Sequence, residues 1–178
     1  MSYQPRPPFA VNAGYRVEPA APPNNLPAPL TTFVGRAQEQ AEVLRLLRAA
    51  RLVTLTGPGG MGKTRLALES AAALLAEFRD GAWLVELAAL PVSSLTAQAV
   101  SHAVGLRDEY DLARLENLLS FLGNKRLLLV LDNCEHVIDD AAALVEQVLT
   151  TCPNVSVLAT SREALRIPNL KVNAVANP

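Results

Sequence analysis

The sequence predicts an α/β fold in which a doubly wound parallel sheet carries helices on both faces. Residues 127–131 form an uninterrupted apolar run, LLLVL, which is typical of a strand buried on both sides. From Thr31 onward, strand patterns alternate with helix patterns four times, as expected for a parallel sheet with crossover helices. Half of the 178 residues are apolar but only 4% are aromatic, so Leu, Val and Ala must build the core.

The individual elements follow from periodicity and composition. Residues 37–50 place Val43 and Leu47 on one helical face, and residues 52–56 form a short strand that runs into glycines. The other predicted helices cover residues 63–78, 95–104, 112–122 and 141–149. The other predicted strands cover residues 83–87, 127–131 and 155–160, with residues 170–175 as a candidate final strand.

The first 30 residues differ from the rest in composition, because eight prolines fall within them and no apolar periodicity is present. Proline at this density removes hydrogen-bond donors and favours an extended, solvated chain. We therefore predict a flexible linker over residues 1–30 and a phosphate-loop nucleotide-binding domain over residues 31–178.

Charge and cysteine content exclude several classes of protein. The net charge is −1, the pI is about 6.1, and no basic run breaks the balance, which argues against direct nucleic-acid contact by this chain. Cys134 and Cys152 match no metal or redox spacing. No apolar stretch reaches membrane-spanning length and no signal peptide is recognisable, so we expect a cytoplasmic location without membrane contact.

A phosphate loop lies directly after the strand at residues 52–56 and directly before the helix that starts near Lys63. It fits the pattern G-x-x-x-x-G-K-[ST] through Gly57, Pro58, Gly59, Gly60, Met61, Gly62, Lys63 and Thr64. Glycines let backbone N–H groups converge on phosphate oxygens, and the helix N-terminus adds a partial positive charge. Lys63 brings a full charge to the β- and γ-phosphates, and Thr64 offers a hydroxyl to Mg²⁺. A chance glycine-rich turn is the alternative, and the strand–loop–helix context disfavours it.

Asp132 ends the predicted strand 127–131 and would lie at the sheet edge where ligands bind in such folds. There it can hold Mg²⁺ together with Thr64. An N-cap for the following helix is the structural alternative. The upstream phosphate loop favours the metal role.

Hydrolysis requires a group that orients the attacking water. Asn133 follows Asp132, so Glu135 is the nearest carboxylate that could serve in catalysis, although it could equally cap the next helix. Arg162 follows the last strong strand, and strand ends place polar groups over a bound nucleotide. The alternative is a solvated arginine at a helix start, but a guanidinium is unfavourable beside the helix dipole unless it has an anionic partner. We therefore predict that Arg162 contacts the γ-phosphate.

Several segments resemble the NB-ARC-like nucleotide-binding domain of STAND ATPases, of the bacterial type found in large transcriptional regulators. The matching segments are residues 25–36, 52–68, 83–87, 127–136 and 158–165. The resemblance implies an ATP/ADP switch that controls self-association or an attached output domain. Because Asn133 follows Asp132 and no lid is expected, we predict slow Mg²⁺-dependent ATP hydrolysis. It also implies that Val34, Gly35 and Arg36 lie against the adenine and ribose, and that Arg65 belongs to the nucleotide-binding set.

The chain departs from this family after residue 165, where relatives continue into a helical lid and a winged-helix segment. We therefore expect a truncated relative in which these parts are absent. A P-loop kinase is an alternative, but it would need an arginine-rich lid, for which only Arg107 and Arg114 are available. A fragment that acts only as an interaction scaffold is the third possibility.

Overall fold

The fold was analysed in a computed structural model that describes residues 21–28, 35–90, 95–106, 115–167 and 173–176. Its helices are α1 Ala37–Ala49, α2 Lys63–Leu74, α3 Thr96–Ala103, α4 Leu115–Leu122 and α5 Ile138–Thr151. Its strands are β1 Leu52–Thr56, β2 Ala82–Glu86, β3 Leu128–Asp132, β4 Ser156–Ser161 and β5 Asn173–Ala176. All strand pairs are parallel, in the order β2-β3-β4-β1-β5. The predicted α/β fold class is therefore confirmed.

The core consists of two apolar layers, one on each face of the sheet. Alternate residues of a strand point to opposite faces, so Val53 and Leu55 of β1 join the layer formed with α1 and α2. Leu129 and Leu131 of β3 face the opposite layer, which is built with α3, α4 and α5. Both faces of the sheet are thus buried, which explains why residues 127–131 are continuously apolar.

Strand register brings the functional residues together at the carboxyl ends of the parallel strands. The last residue of β1, Thr56, pairs with Ser161 of β4, and Asp132 of β3 pairs with Glu86 of β2. Strand β4 lies between β1 and β3. Because parallel strands end at the same edge, the phosphate loop and Asp132 emerge side by side.

Element boundaries differ from the predictions at a few positions. Helix α2 ends at Leu74 and continues as the 3₁₀ turn Leu75–Glu77, whereas the pattern predicted a helix up to residue 78. Helix α5 begins at Ile138, three residues before the predicted start, because the 3₁₀ turn Cys134–His136 leads directly into it. Within the described parts of the chain, no helix is both long and apolar enough to cross a membrane.

Some predictions concern residues outside the described ranges. These are residues 1–20 and 29–30 of the linker, Val34, Arg107, Arg114, the first three residues of the predicted helix 112–122 and the first three of the candidate strand 170–175. The described end of the predicted linker, residues 21–28, lies alongside β2, where Asn24 forms a parallel bridge with Ala82. The domain boundary at residue 30 stays a prediction.

Candidate functional site

The phosphate loop joins β1 to α2 and presents the start of that helix to the sheet edge. Gly62 occupies the N-cap position with φ 75° and ψ 22°, a left-handed conformation that glycine adopts without a Cβ penalty. No side chain caps the N-terminus of α2, and its first turn contains no acidic residue. The free N–H groups and the partial positive charge of the helix dipole therefore face the loop, where they favour an anion.

Lys63 is the most buried charged side chain of this site, at 8% exposure. Its Nζ donates to the carbonyl oxygens of Gly57 (2.8 Å) and Pro58 (2.9 Å), so the ammonium lies within the curve of the loop. These carbonyls satisfy two of its three N–H donors but carry no net negative charge. A phosphate oxygen would be a stronger electrostatic partner in this buried position.

Thr64 and Asp132 meet at the sheet edge, as the metal-site prediction requires. Thr64 Oγ1 donates to Asp132 Oδ1 at 2.7 Å, although the two residues are 68 positions apart. A hydroxyl and a carboxylate in contact form the hard-oxygen pair that suits Mg²⁺, which fills its remaining positions with water and phosphate oxygens. The donor set therefore fits Mg²⁺.

Thr160 is a site residue that the sequence reasoning did not assign. Its buried hydroxyl donates to Asp132 Oδ1 at 2.5 Å and accepts the backbone N–H of Asn133 at 3.0 Å. Thr160 thereby fixes both the carboxylate and the turn that follows it. The sequence feature that could have identified Thr160 is a polar side chain at the end of the predicted strand 155–160, two positions before Arg162.

The turn after β3 returns Glu135 to the cavity. Asn133 has φ 65° and ψ 50°, a positive φ that is uncommon for a residue other than glycine and that bends the chain sharply. When the Asn133 amide is oriented to donate, its nitrogen lies 3.1 and 3.3 Å from the two carboxylate oxygens of Glu135. Arg162 Nε lies 3.3 Å from Glu135 Oε1, and the Arg162 side chain is 67% exposed.

Arg162 differs from its predicted setting in one respect. Residues 162–167 form no helix, so the helix-dipole argument for an anionic partner was wrong. Its anionic partner in this structure is Glu135. The predicted γ-phosphate contact of Arg162 stays a prediction.

A cavity of about 600 Å³ extends from the phosphate loop along α2. One end is lined by polar residues that include Lys63, Thr64 and Glu135. The other end is mainly apolar: Leu26, Pro27, Ala28, Leu68 and Ala72 line it, together with the charged Glu69 of α2. Ala72 follows Lys63 by nine positions, which is about 13 Å along a helix. The cavity thus has a charged end and an apolar end, separated by a nucleotide-sized distance.

The remaining predicted residues lie around the loop. Gly59, Gly60 and Arg65 line the cavity, while Met61 is largely exposed. The guanidinium of Arg36 packs beside Gly62, with Nη1 3.6 Å from where a Cβ of Gly62 would lie. That Nη1 is buried and has no hydrogen-bond partner among the residues that the structure describes. Arg36 therefore stands at the phosphate loop, and the predicted contact of residues 34–36 with adenine stays a prediction.

Cys134 lies beneath this edge, fully buried. Burial, together with the nearby carboxylates of Asp132 and Glu135, raises the pKa of its thiol to about 12. A thiol with so high a pKa carries almost no thiolate at neutral pH and is chemically unreactive. Cys134 is therefore a packing residue of the site.

Most of the chain matches the profile of a known protein family. Residues 28–167 match the profile of novel STAND NTPase 1. An uncharacterized protein of Mycobacterium tuberculosis is 43% identical over 136 residues, which cover 76% of this chain and 35% of that protein. A candidate HTH-type transcriptional regulator of the same species is 45% identical over 135 residues, 71% of this chain and 15% of the regulator. The chain thus spans about a third or less of the length of these relatives.

Solved structures share the fold at low sequence identity. A Walker-type ATPase of Pyrococcus abyssi has a TM-score of 0.56 at 13% identity, covering 82% of this chain and 54% of that one. A STAND protein of Pyrococcus horikoshii with a tetratricopeptide-repeat sensor has a TM-score of 0.53 at 16% identity, covering 90% and 25%. These likenesses show a P-loop ATPase fold. The NB-ARC assignment and the truncation stay predictions.

Proposed function

Because the chain belongs to the novel STAND NTPase 1 family, we propose that it is a switch module that binds ATP or ADP with Mg²⁺ and hydrolyses ATP slowly. The observation that carries the proposal is the contact of Thr64 with Asp132 beside the buried ammonium of Lys63. This arrangement combines a metal-binding oxygen pair with a cation at an uncapped helix N-terminus.

The charged end of the cavity would hold the phosphates. Backbone N–H groups of the phosphate loop and of the first turn of α2 would bind the phosphate oxygens. Lys63 would exchange its carbonyl partners for the β- and γ-phosphates, gaining a charge-assisted hydrogen bond. Thr64 and Asp132 would hold Mg²⁺, which neutralises phosphate charge when bound. Thr160 fixes Asp132 for this role.

The apolar end of the cavity would hold the nucleoside. Leu26, Pro27, Leu68 and Ala72 line this end together, and apolar side chains suit the faces of an aromatic base. Adenine as the preferred base is part of the proposal and rests on the resemblance to STAND ATPases.

Slow hydrolysis follows from the environment of Glu135. This carboxylate is the candidate for orienting water, but it forms an ion pair with Arg162 and accepts a hydrogen bond from the amide of Asn133. A carboxylate whose oxygens are already engaged by two donors cannot orient a water molecule until one of those donors moves away. Until its partners move, Glu135 is poorly placed to activate water.

The role of the whole protein is a further part of the proposal. One relative is named as a candidate HTH-type transcriptional regulator, and this chain covers 15% of it. We propose that the nucleotide state of this domain controls self-association or an output domain in transcription regulation, in the cytoplasm.

An equilibrium titration with a fluorescent ATP analogue tests nucleotide binding. We expect Lys63→Ala to weaken binding about tenfold to a hundredfold, because a charge-assisted contact contributes about 1.5–3 kcal/mol. Lys125→Ala removes the same charge near Asp80, outside the cavity, and serves as the matched control. Equal titration curves for wild type and Lys63→Ala would exclude the phosphate-loop assignment.

A further inference from the structure

We propose that Asn25 is a positioning residue for the nucleoside end of the cavity. Its side chain attaches the wall formed by Leu26, Pro27 and Ala28 to the edge strand β2. The inference rests on the proposed function, since it assigns the occupant of that end as the nucleoside part of the ligand.

Asn25 makes two hydrogen bonds with one residue of β2. Its Oδ1 accepts the backbone N–H of Leu84 at 2.6 Å, and its Nδ2 donates to the Leu84 carbonyl oxygen at 2.9 Å. Strand β2 is at the edge of the sheet, so these two Leu84 groups would otherwise lack a partner strand. The side-chain amide thus occupies the positions that a neighbouring backbone would fill.

The approach of this segment to β2 also depends on Gly81. A Cβ on Gly81 would lie 1.9 Å from the carbonyl oxygen of Pro23, which is too close for any side chain. The same Pro23 oxygen accepts the backbone N–H of Ala82 at 3.3 Å. These contacts place Pro23 against the start of β2, and Asn25 lies two positions further along the chain.

Few other backbone interactions can hold the wall in place. Pro22, Pro23 and Pro27 have no N–H group, and the backbone N–H of Leu26 is used by Asn24 Oδ1 within the segment, at 3.2 Å. Leu26 itself packs against the apolar layer of α1 and α2 before the chain reaches the cavity. The two hydrogen bonds of Asn25 therefore set the position from which Leu26, Pro27 and Ala28 line it.

The wall lines the cavity together with Leu68 and Ala72, which lie beyond the first turn of α2. Loss of the attachment should consequently weaken ligands that carry a nucleoside and leave ligands made of phosphate alone unaffected. Inorganic tripolyphosphate with Mg²⁺ is the probe for the phosphate end, and ATP and ADP with Mg²⁺ are the probes for the whole cavity. A general loss of folded structure would affect all three ligands together.

The experiment measures all three affinities by calorimetry for wild type, Asn25→Ala and Asn25→Asp in the full chain. Aspartate keeps the shape and the acceptor, but places an oxygen against the Leu84 carbonyl. We expect both variants to bind ATP and ADP about three- to tenfold more weakly, because the competent position of the wall becomes less populated. Tripolyphosphate affinity should be unchanged. Asn154 lies in an exposed turn just before β4, and Asn154→Ala is the matched control.

Each outcome decides between the possibilities. Unchanged ATP and ADP affinities in both Asn25 variants would overturn the positioning role while leaving the proposed function intact. An equal loss for tripolyphosphate would also overturn it, because the effect would then not be confined to the nucleoside. Absence of binding by the wild type would instead contradict the proposed function itself.

Discussion

Arg162 should distinguish ATP from ADP by exchanging one partner for another. Without a triphosphate, its guanidinium is paired with Glu135, which lines the cavity. A γ-phosphate bound at the phosphate loop would offer a more highly charged partner close by. Substitution Arg162→Ala removes the guanidinium from both states, so its effect on binding is the difference between the two pairings.

The magnitude follows from the exposure of the ion pair. The Arg162 side chain is 67% exposed and the Glu135 side chain 13%, and a pair that is open to solvent on one side contributes only about 1 kcal/mol. A charge-assisted hydrogen bond to phosphate contributes about 1.5–3 kcal/mol. The variant should therefore bind ATP more weakly by about 1–2 kcal/mol, or roughly five- to thirtyfold. Binding of ADP, which lacks the γ-phosphate, should not change.

Glu135→Gln should have the opposite effect on ATP binding. It removes the charge that competes for Arg162, so ATP affinity should rise by up to about 1 kcal/mol, roughly fivefold. If Arg162 changes partner, the two substitutions should move ATP affinity in opposite directions, and Glu135→Gln also removes a charge that repels the phosphates directly. A guanidinium that stays with Glu135 in every state would give Arg162→Ala no selective loss of ATP affinity.

The assay is calorimetric titration of a non-hydrolysable ATP analogue and of ADP into wild type and each variant. Arg166→Ala is the control, because Arg166 forms a comparable exposed pair with Glu163 at 3.9 Å, four positions further along the chain. Equal shifts for the two nucleotides, or an effect of Arg166→Ala as large as that of Arg162→Ala, would refute the reasoning.

Three further predictions follow from the site. Wild-type protein should hydrolyse ATP well below the roughly 1–100 s⁻¹ of kinase turnover, and a steady-state phosphate-release rate within that range would contradict the proposed occupation of the candidate base. Thr160→Val should lower the free energy of unfolding by about 1–3 kcal/mol, because Asp132 loses a donor and a backbone N–H loses its acceptor; urea denaturation measures this, and a midpoint equal to wild type would show the hydroxyl to be dispensable. The raised pKa of Cys134, about 12, should make the folded protein resist iodoacetamide at pH 8. Alkylation of Cys134 at the rate of the denatured protein would contradict its burial. The pKa of the Cys134 thiol rises from 9.0 to about 12 on folding, so the free energy of unfolding should fall as the pH rises above about 9.

The sequence was sufficient for the fold class and for the proximity of the phosphate loop to Asp132. The apolar run at residues 127–131 and the phosphate loop are local signals, because each depends on the order of neighbouring residues. The contact between Thr64 and Asp132 was also expected, since parallel strands end at one sheet edge. What these features share is that chain order and strand direction determine them.

Tertiary structure alone decided which side chains support that site. Thr160 reaches Asp132 across 28 positions because β3 and β4 are adjacent in register, and Asn25 reaches Leu84 across 59 positions because residues 21–28 cover the free edge of β2. The pairing of Arg162 with Glu135 depends on the left-handed turn at Asn133, a backbone conformation that is uncommon for residues other than glycine. Such contacts depend on distances between elements, which packing sets and no local pattern of residues encodes.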